Sequence, residues 1–400
     1  MTGLATVAIL KAVMRIGRIK DPFAPARFPP DQRRARKGGR TYILMMFCSW
    51  EAALKYLPVI ALALAAAATA QSDVETDNAL EFELEGYVYL RYTIHGQEAA
   101  IPDDEFSLRR AGLKADFSLS DNLQGQLQVE TRVDEVSLKD CYAVWSPFPA
   151  AELTLGLAKV PFCMNSLAGS WDLYSPEHAL CDELLSELAY AGRDLGTILS
   201  LSPLEDLRVQ AGVSNGNPPE QDPADRELQY TLRAEADLPA GIALGLNGTR
   251  LSVGEEDPGA VEGYVSSDPL SAWGADLRWS RALSPRVETG LAGEYLQADN
   301  WMEALVLEGE EAPLMKAVWT RGSLTWYPYM AGGIDRVDLS MQYERVDPGG
   351  DEVVHQLITP TLGVWPSSTW RIRLSGTTHL LDAEYQDDYT DITLELAAIF

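Results

Sequence analysis

Basic residues are scarce in this chain of 400: 32 Lys and Arg stand against 59 Asp and Glu, a formal balance of −27. A nucleic-acid partner needs the reverse excess to neutralise phosphates, so that class is excluded. Histidine is scarcer still, with only His95, His178, His355 and His379. The motifs H-E-x-x-H, C-x-x-C and G-x-x-x-x-G-K-[ST] do not occur, which removes the usual signatures of zinc hydrolysis, thiol redox chemistry and phosphate cradling. No metal, cofactor or catalytic residue is expected. Cysteine is too sparse for a disulfide framework; Cys141, Cys163 and Cys181 follow residue 70, an odd number. Cys163 and Cys181 flank one long connection, and a bridge or two free thiols are both open readings.

Long apolar runs are missing as well, which excludes a bundle of membrane helices. The one exception is YLPVIALALAAAATAQ, where Lys55 precedes Leu57 to Ala68 and Ala68-Thr69-Ala70 stands before Gln71. It is too short to span a bilayer and has the small-residue exit of a cleavable secretory signal. No cysteine follows it, so a lipid anchor is not expected. Arg33-Arg34 lies too far ahead for a twin-arginine signal. Residues 1–45 read as an over-long start or disordered extension, 46–70 as the signal peptide, 71–80 as a periplasmic linker, and 81–400 as one domain. Cleavage removes eleven basic residues but three acidic ones, so the exported chain is more acidic still.

What the domain does contain is alternation. In LEFELEGYVYLRYT, Phe82, Leu84, Val88 and Leu90 oppose Glu83, Glu85, Tyr87 and Arg91. In LQGQLQVETRV, Leu123, Leu127, Val129 and Val133 oppose Gln124, Gln126, Gln128, Glu130 and Arg132. In RVDLSMQYERV, Val337, Leu339, Met341 and Tyr343 oppose Arg336, Asp338, Gln342 and Glu344. A period of two is a strand with one apolar face. About sixteen such runs occur, and their connections alternate between short (120–122, 146–150, 202–206, 238–241, 281–285, 326–333, 365–369) and long (94–105, 161–192, 214–226, 252–269, 298–313, 346–352, 381–388). All long loops at one end, with apolar faces too numerous for one sandwich core, predict a transmembrane antiparallel β-barrel of about 16 strands in a Gram-negative outer membrane. Tyr142, Trp145, Trp279, Trp326, Tyr327, Tyr329, Trp365 and Trp370 read as interfacial girdles. The final strand, DITLELAAIF, ends on Phe400, which is read as the element that the barrel-assembly machinery recognises.

Several stretches resemble the phosphate- and polyphosphate-selective porin family: FSLRRAGLKADFSLSDNLQGQLQVE, LKDCYAVWSP, and LGLAKVPF followed by a long loop and GRDLGTILS. The resemblance covers the layout of the whole exported chain and the motifs of about residues 106–200. It implies sixteen strands, a homotrimer in outer-membrane lipid, and a third outer loop folded into the lumen.

Residues 161–192 are the candidate for that loop. Ser175 is placed to cap a helix, Pro176 suits its first turn, and Leu180, Leu184 and Leu188 recur at helical spacing. The inferred pore-lining residues are Arg91, Arg110, Lys114, Glu130, Arg132, Arg208, Arg233, Arg278, Arg336, Arg371 and Arg373. The constriction set is Asp172, Glu177, His178, Asp182, Glu183 and Glu187, with Arg193 as the first base after them. A ladder of arginines suits anions. The acids of the loop and of Glu255-Glu256-Asp257, Glu310-Glu311 and Asp387-Asp388 oppose them, so the family's phosphate selectivity is not carried over. The expected activity is passive diffusion of ions and small hydrophilic solutes. A barrel enzyme of phospholipase or protease type, for which His379 is the tempting seed, and a plugged structural barrel are the alternatives.

Overall fold

The computed structural model describes residues 81–96, 104–132, 135–216, 228–252, 269–301, 312–328, 333–350, 353–381 and 388–400. The extension, the signal peptide and the linker lie outside them, as do Val133, Tyr329 and the acids at 255–257, 310–311 and 387.

Sixteen strands follow in order: β1 Glu81–Ile94, β2 Asp104–Ser120, β3 Leu123–Thr131, β4 Val136–Phe148, β5 Ala151–Lys159, β6 Arg193–Leu204, β7 Leu207–Ser214 and β8 Gln229–Leu238. The second half is β9 Ile242–Leu251, β10 Leu270–Ser284, β11 Val287–Asp299, β12 Leu314–Trp326, β13 Arg336–Asp347, β14 His355–Ser367, β15 Trp370–Leu381 and β16 Tyr389–Ile399. Two helices, α1 Met164–Leu167 and α2 Leu180–Glu187, lie between β5 and β6. Each strand pairs antiparallel with its chain neighbours, and β1 with β16, so the sheet closes and leaves no edge.

Alternation decides which way the sheet curls. Along β13, Asp338, Ser340, Gln342 and Glu344 are buried, while Leu339 and Met341 stay more than half exposed. Leu232 and Leu246 repeat this on β8 and β9. The apolar face is therefore outside and the charged face inside, the reverse of a water-soluble core. Of the expected girdle, Trp145, Trp326, Tyr327 and Trp370 are exposed on the outer surface. Tyr142 and Trp365 are corrected: Tyr142 donates inward to Gln126 at 2.9 Å, and Trp365 is buried, donating to Asp338 at 2.6 Å. A strand's parity, not its proximity to a turn, sets the face of an aromatic ring.

Two local features fix the seam and the face of β2. Phe400 exchanges backbone hydrogen bonds with Gly86 at 2.8 and 2.7 Å. Its ring lies over Gly86, where an added Cβ would come within 2.5 Å of it, so a side chain at 86 would push the ring aside. On β2 a bulge between the Tyr89 and Leu90 partners skips Arg109. The outward parity accordingly switches from Phe106 to Leu113 and Leu119, and Arg109 and Arg110 both turn inward.

Candidate functional site: the inner wall and the β5–β6 connection

The connection from Val160 to Gly192 lies against the polar face of the barrel and is held at both ends of its two helices. Glu294 on β11 accepts from the backbone N–H groups of Met164 at 2.8 Å and Asn165 at 3.4 Å, and from Trp319 Nε1 at 3.1 Å. Glu344 on β13 accepts from the N–H of Leu180 at 2.6 Å. A carboxylate at a helix start satisfies donors that have no partner within the helix. Lys159 at the end of β5 donates to the carbonyls of Ser166 and Ala168, at 2.8 and 2.7 Å, where α1 ends.

Between the helices the grip is made by arginines. Arg371 donates to the carbonyls of Ser170, Trp171 and Leu173, and Arg373 to those of Leu173 and Ser175. Arg91 donates to the Pro176 carbonyl and, with Arg109, to the Glu177 carboxylate. These bonds correct the expected helix start. Ser175 does not cap; its hydroxyl donates to the Glu177 carbonyl, and α2 begins only at Leu180. The carbonyls of 175 and 176 are engaged by arginines. The N–H groups of 179 and 180 go to Asn165 Oδ1 and Glu344. A helix from Pro176 would need those same groups for itself.

Apolar packing completes the attachment. Phe162, Leu185 and Tyr190 of the connection bury with Leu296, Met315, Trp319 and Val346, which occupy inward positions on β11, β12 and β13. Burial of each large side chain is worth about 1.5–3 kcal/mol. Cys163 and Cys181 are part of this core and are free thiols, so of the two readings the structure has the unbridged one. Burial, then the carboxylate of Glu294 beside Cys163 and of Glu344 beside Cys181, pushes both thiols well above their usual range.

The loop acids are not equivalent. Glu177 is neutralised by Arg91 and Arg109, and although burial works to raise its pKa, the two guanidiniums hold it at about 2. Asp182 is buried and faces His178 at 3.0 Å. Asp172, Glu183 and Glu187 are exposed, although partial desolvation by the surrounding protein, followed by repulsion from Glu177, raises Glu183. Arg193 belongs to β6 and pairs with Asp140 at 2.9 Å.

The inferred wall residues all lie on strands, except Arg132 just past β3, and nearly all are in ion pairs: Lys114 with Asp116, Arg110 and Arg132 with Glu130, Arg208 with Glu152, Arg233 with Asp276, Arg278 with Glu235, Arg336 with Asp338, and Arg91 and Arg373 with Glu395. Strict alternation missed Arg109, whose signal was the parity switch along β2. It also missed Arg321, which lies over the ring of Tyr174 at 4.3 Å, and Glu294, whose inward neighbours on β11, Ala292, Leu296 and Ala298, are apolar. His379 stacks on Tyr389 and lies 3.6 Å from Asp391, with no hydroxyl hydrogen-bonded to it among the described residues. Gly212 to Gly216 spells G-x-S-x-G. Ser214, however, ends a strand rather than turning into a helix, and its hydroxyl donates to Gln229 at 3.1 Å.

Neither a protein-family model nor a curated protein matches the sequence. Solved structures do. The outer-membrane channel DcaP of Acinetobacter baumannii matches with a TM-score of 0.53 and 11% identity over 80% of this chain and 97% of its own. An anion-selective porin from Comamonas acidovorans gives 0.53 and 12% over 80% and 100%. The trimer form of OmpT, an outer-membrane protein of Vibrio cholerae, gives 0.53 and 12% over 80% and 99%. The barrel is thus of the fold seen in outer-membrane porins.

Proposed function

We propose that the protein is an outer-membrane porin, a water-filled channel through which ions and small hydrophilic solutes diffuse without covalent chemistry. The observation that carries this is the inverted surface: large apolar side chains outside, charged ones inside, on a sheet with no edge. Outer-membrane lipid is the solvent such an exterior needs. The β5–β6 connection narrows the lumen, because its backbone is fastened to strands on several sides of the wall. A trimer, the form in which one of the similar proteins was solved, and export by the N-terminal signal belong to the same reading.

Phosphate selectivity finds no support in the wall. A phosphate ladder needs guanidiniums with open donors, whereas Arg371, Arg373, Arg91 and Arg109 spend theirs on loop carbonyls and carboxylates. The exposed charges of the connection are Asp172, Glu183 and Glu187. Weak selectivity tilted toward cations follows, since charge at a narrow, low-dielectric passage dominates the field. Planar-bilayer recording of the purified, heat-modifiable protein tests the reading. Stable conductance steps are expected; a folded barrel that stays silent under voltage would refute a channel.

A further inference from the structure

A cavity of about 580 Å³ opens on the inner wall of β8 to β12, between the loop residue Tyr174 and the short turns. Its shape follows from register. Arg278, Ala292 and Arg321 are consecutive cross-strand partners on β10, β11 and β12, and one level nearer the turns stand Ser280, Gly290 and Ser323. Two long cations thus flank a methyl group, above two hydroxyls that flank a glycine. The centre of each row is too small to fill the space, which leaves a notch.

Charges of both signs around the notch stand without ion pairs. Arg321 has no carboxylate within ion-pair distance among the described residues; its guanidinium rests 4.3 Å from the Tyr174 ring centroid, and its Nε has no hydrogen-bond partner. Tyr174 is steadied in turn by Thr325, whose Oγ1 lies 3.4 Å from its hydroxyl. Glu288 lines the same cavity from β11, four residues along the strand from Ala292, and has no ion pair among the described residues either. Four residues of strand separate these levels by roughly 13 Å between Cα atoms. Both residues line the one cavity, so a single bound molecule can meet the cation and the anion together.

We infer that this notch binds a small zwitterion whose carboxylate meets Arg321 and whose ammonium meets Glu288, with the span of a dipeptide rather than of a single α-amino acid. A net anion is disfavoured, since Glu235, Asp237 and Glu288 all line the cavity and Asp172, Glu183 and Glu187 are exposed on the loop. A net cation meets Arg321 and Arg278. A neutral molecule with separated charges satisfies Arg321 and Glu288 and leaves the Arg278–Glu235 pair intact.

The inference rests on the channel reading for its route of entry, so binding is measured apart from conductance, by calorimetry on the detergent-folded protein. Ala-Ala is the probe, against N-acetyl-Ala-Ala, which lacks the ammonium, and Ala-Ala amide, which lacks the carboxylate. Ala-Ala is expected to bind about tenfold more tightly than either blocked form, the size of one charged contact of about 1.4 kcal/mol. Arg321→Ala should erase the preference over the amide, and Glu288→Gln that over the acetylated form. Arg321→Lys, which keeps the charge, guards against a folding defect, and heat-modifiable migration reports the barrel. Equal binding of the three peptides by a folded barrel overturns the site, as does tighter binding of the acetylated form. Silence in bilayers together with charge-dependent Ala-Ala binding would refute the channel and leave the site standing.

Discussion

Arg373 donates to Glu395 through Nε at 3.0 Å, and the two are register partners on β15 and β16. The partner of Glu395 on its other side, Arg91, lies 3.3 Å from the same carboxylate. One buried acid thus sits between two guanidiniums that also hold the β5–β6 connection. Glu395→Ala leaves Arg373 buried with no carboxylate and Arg91 with Glu177 alone, and should cost about 3–5 kcal/mol of stability, read as a lower urea midpoint. Arg371→Ala with Arg373→Ala should instead free the loop and raise single-channel conductance. Unchanged conductance would mean that the loop is held without them.

The attachment through Glu177 predicts an acid-sensitive loop. Its folded pKa of about 2 lies below its ordinary value of 4.5, so the folded loop binds fewer protons than the released one. The stability from this contact is complete above about pH 4.5 and is lost as pH falls toward 2. Fluorescence of Trp171 should shift over that window in the parent protein and not in Glu177→Gln.

Glu294 and Glu344 hold the starts of α1 and α2. Replacing either by Gln keeps one acceptor but removes the charge, and each should cost about 1–3 kcal/mol. Added current flicker and faster proteolysis within 160–192 are the measurements, and a barrel unfolding midpoint that moves with them would argue against a loop-specific effect.

Ion preference should respond to the exposed acids alone. Neutralising Asp172, Glu183 and Glu187 should move the reversal potential toward anions, an effect that fades as salt shortens the Debye length below about 8 Å. Asp182→Asn should leave it in place, because Asp182 is buried against His178.

The thiols report the faces. Cys141 is exposed on the outer, apolar side of β4, while Cys163 and Cys181 are buried. In the folded protein an apolar maleimide should label one thiol in lipid and a charged maleimide none. Labelling of Cys163 before unfolding would contradict the interior packing.

Most of the barrel was legible because a strand's alternation is local: Leu339, Met341 and their polar neighbours announce their faces without knowledge of any other strand. The connection was not. The start of α2 depends on what Arg91, Glu344 and Arg373 do to backbone groups 85, 164 and 198 residues away along the chain, and no cap residue encodes that. Glu294 reads as a lone acid among Ala292, Leu296 and Ala298 until α1 is seen to need it. The open state of Arg321 is likewise a property of its neighbours, set by the absence of an acid at positions cross-strand from it, Ala292 and Gln342.

The apolar cluster of Phe162, Leu185, Leu296, Met315 and Trp319 has a consequence for how the molecule tolerates its surroundings. In the proposed porin the outside is solvated by hydrocarbon, while this interior core excludes water by ordinary protein packing. Exchange of bilayer for detergent alters the first environment and leaves the second untouched. On the porin reading, the passage is therefore shaped by a part of the protein that never meets the membrane, and its geometry travels with the chain when lipid does not.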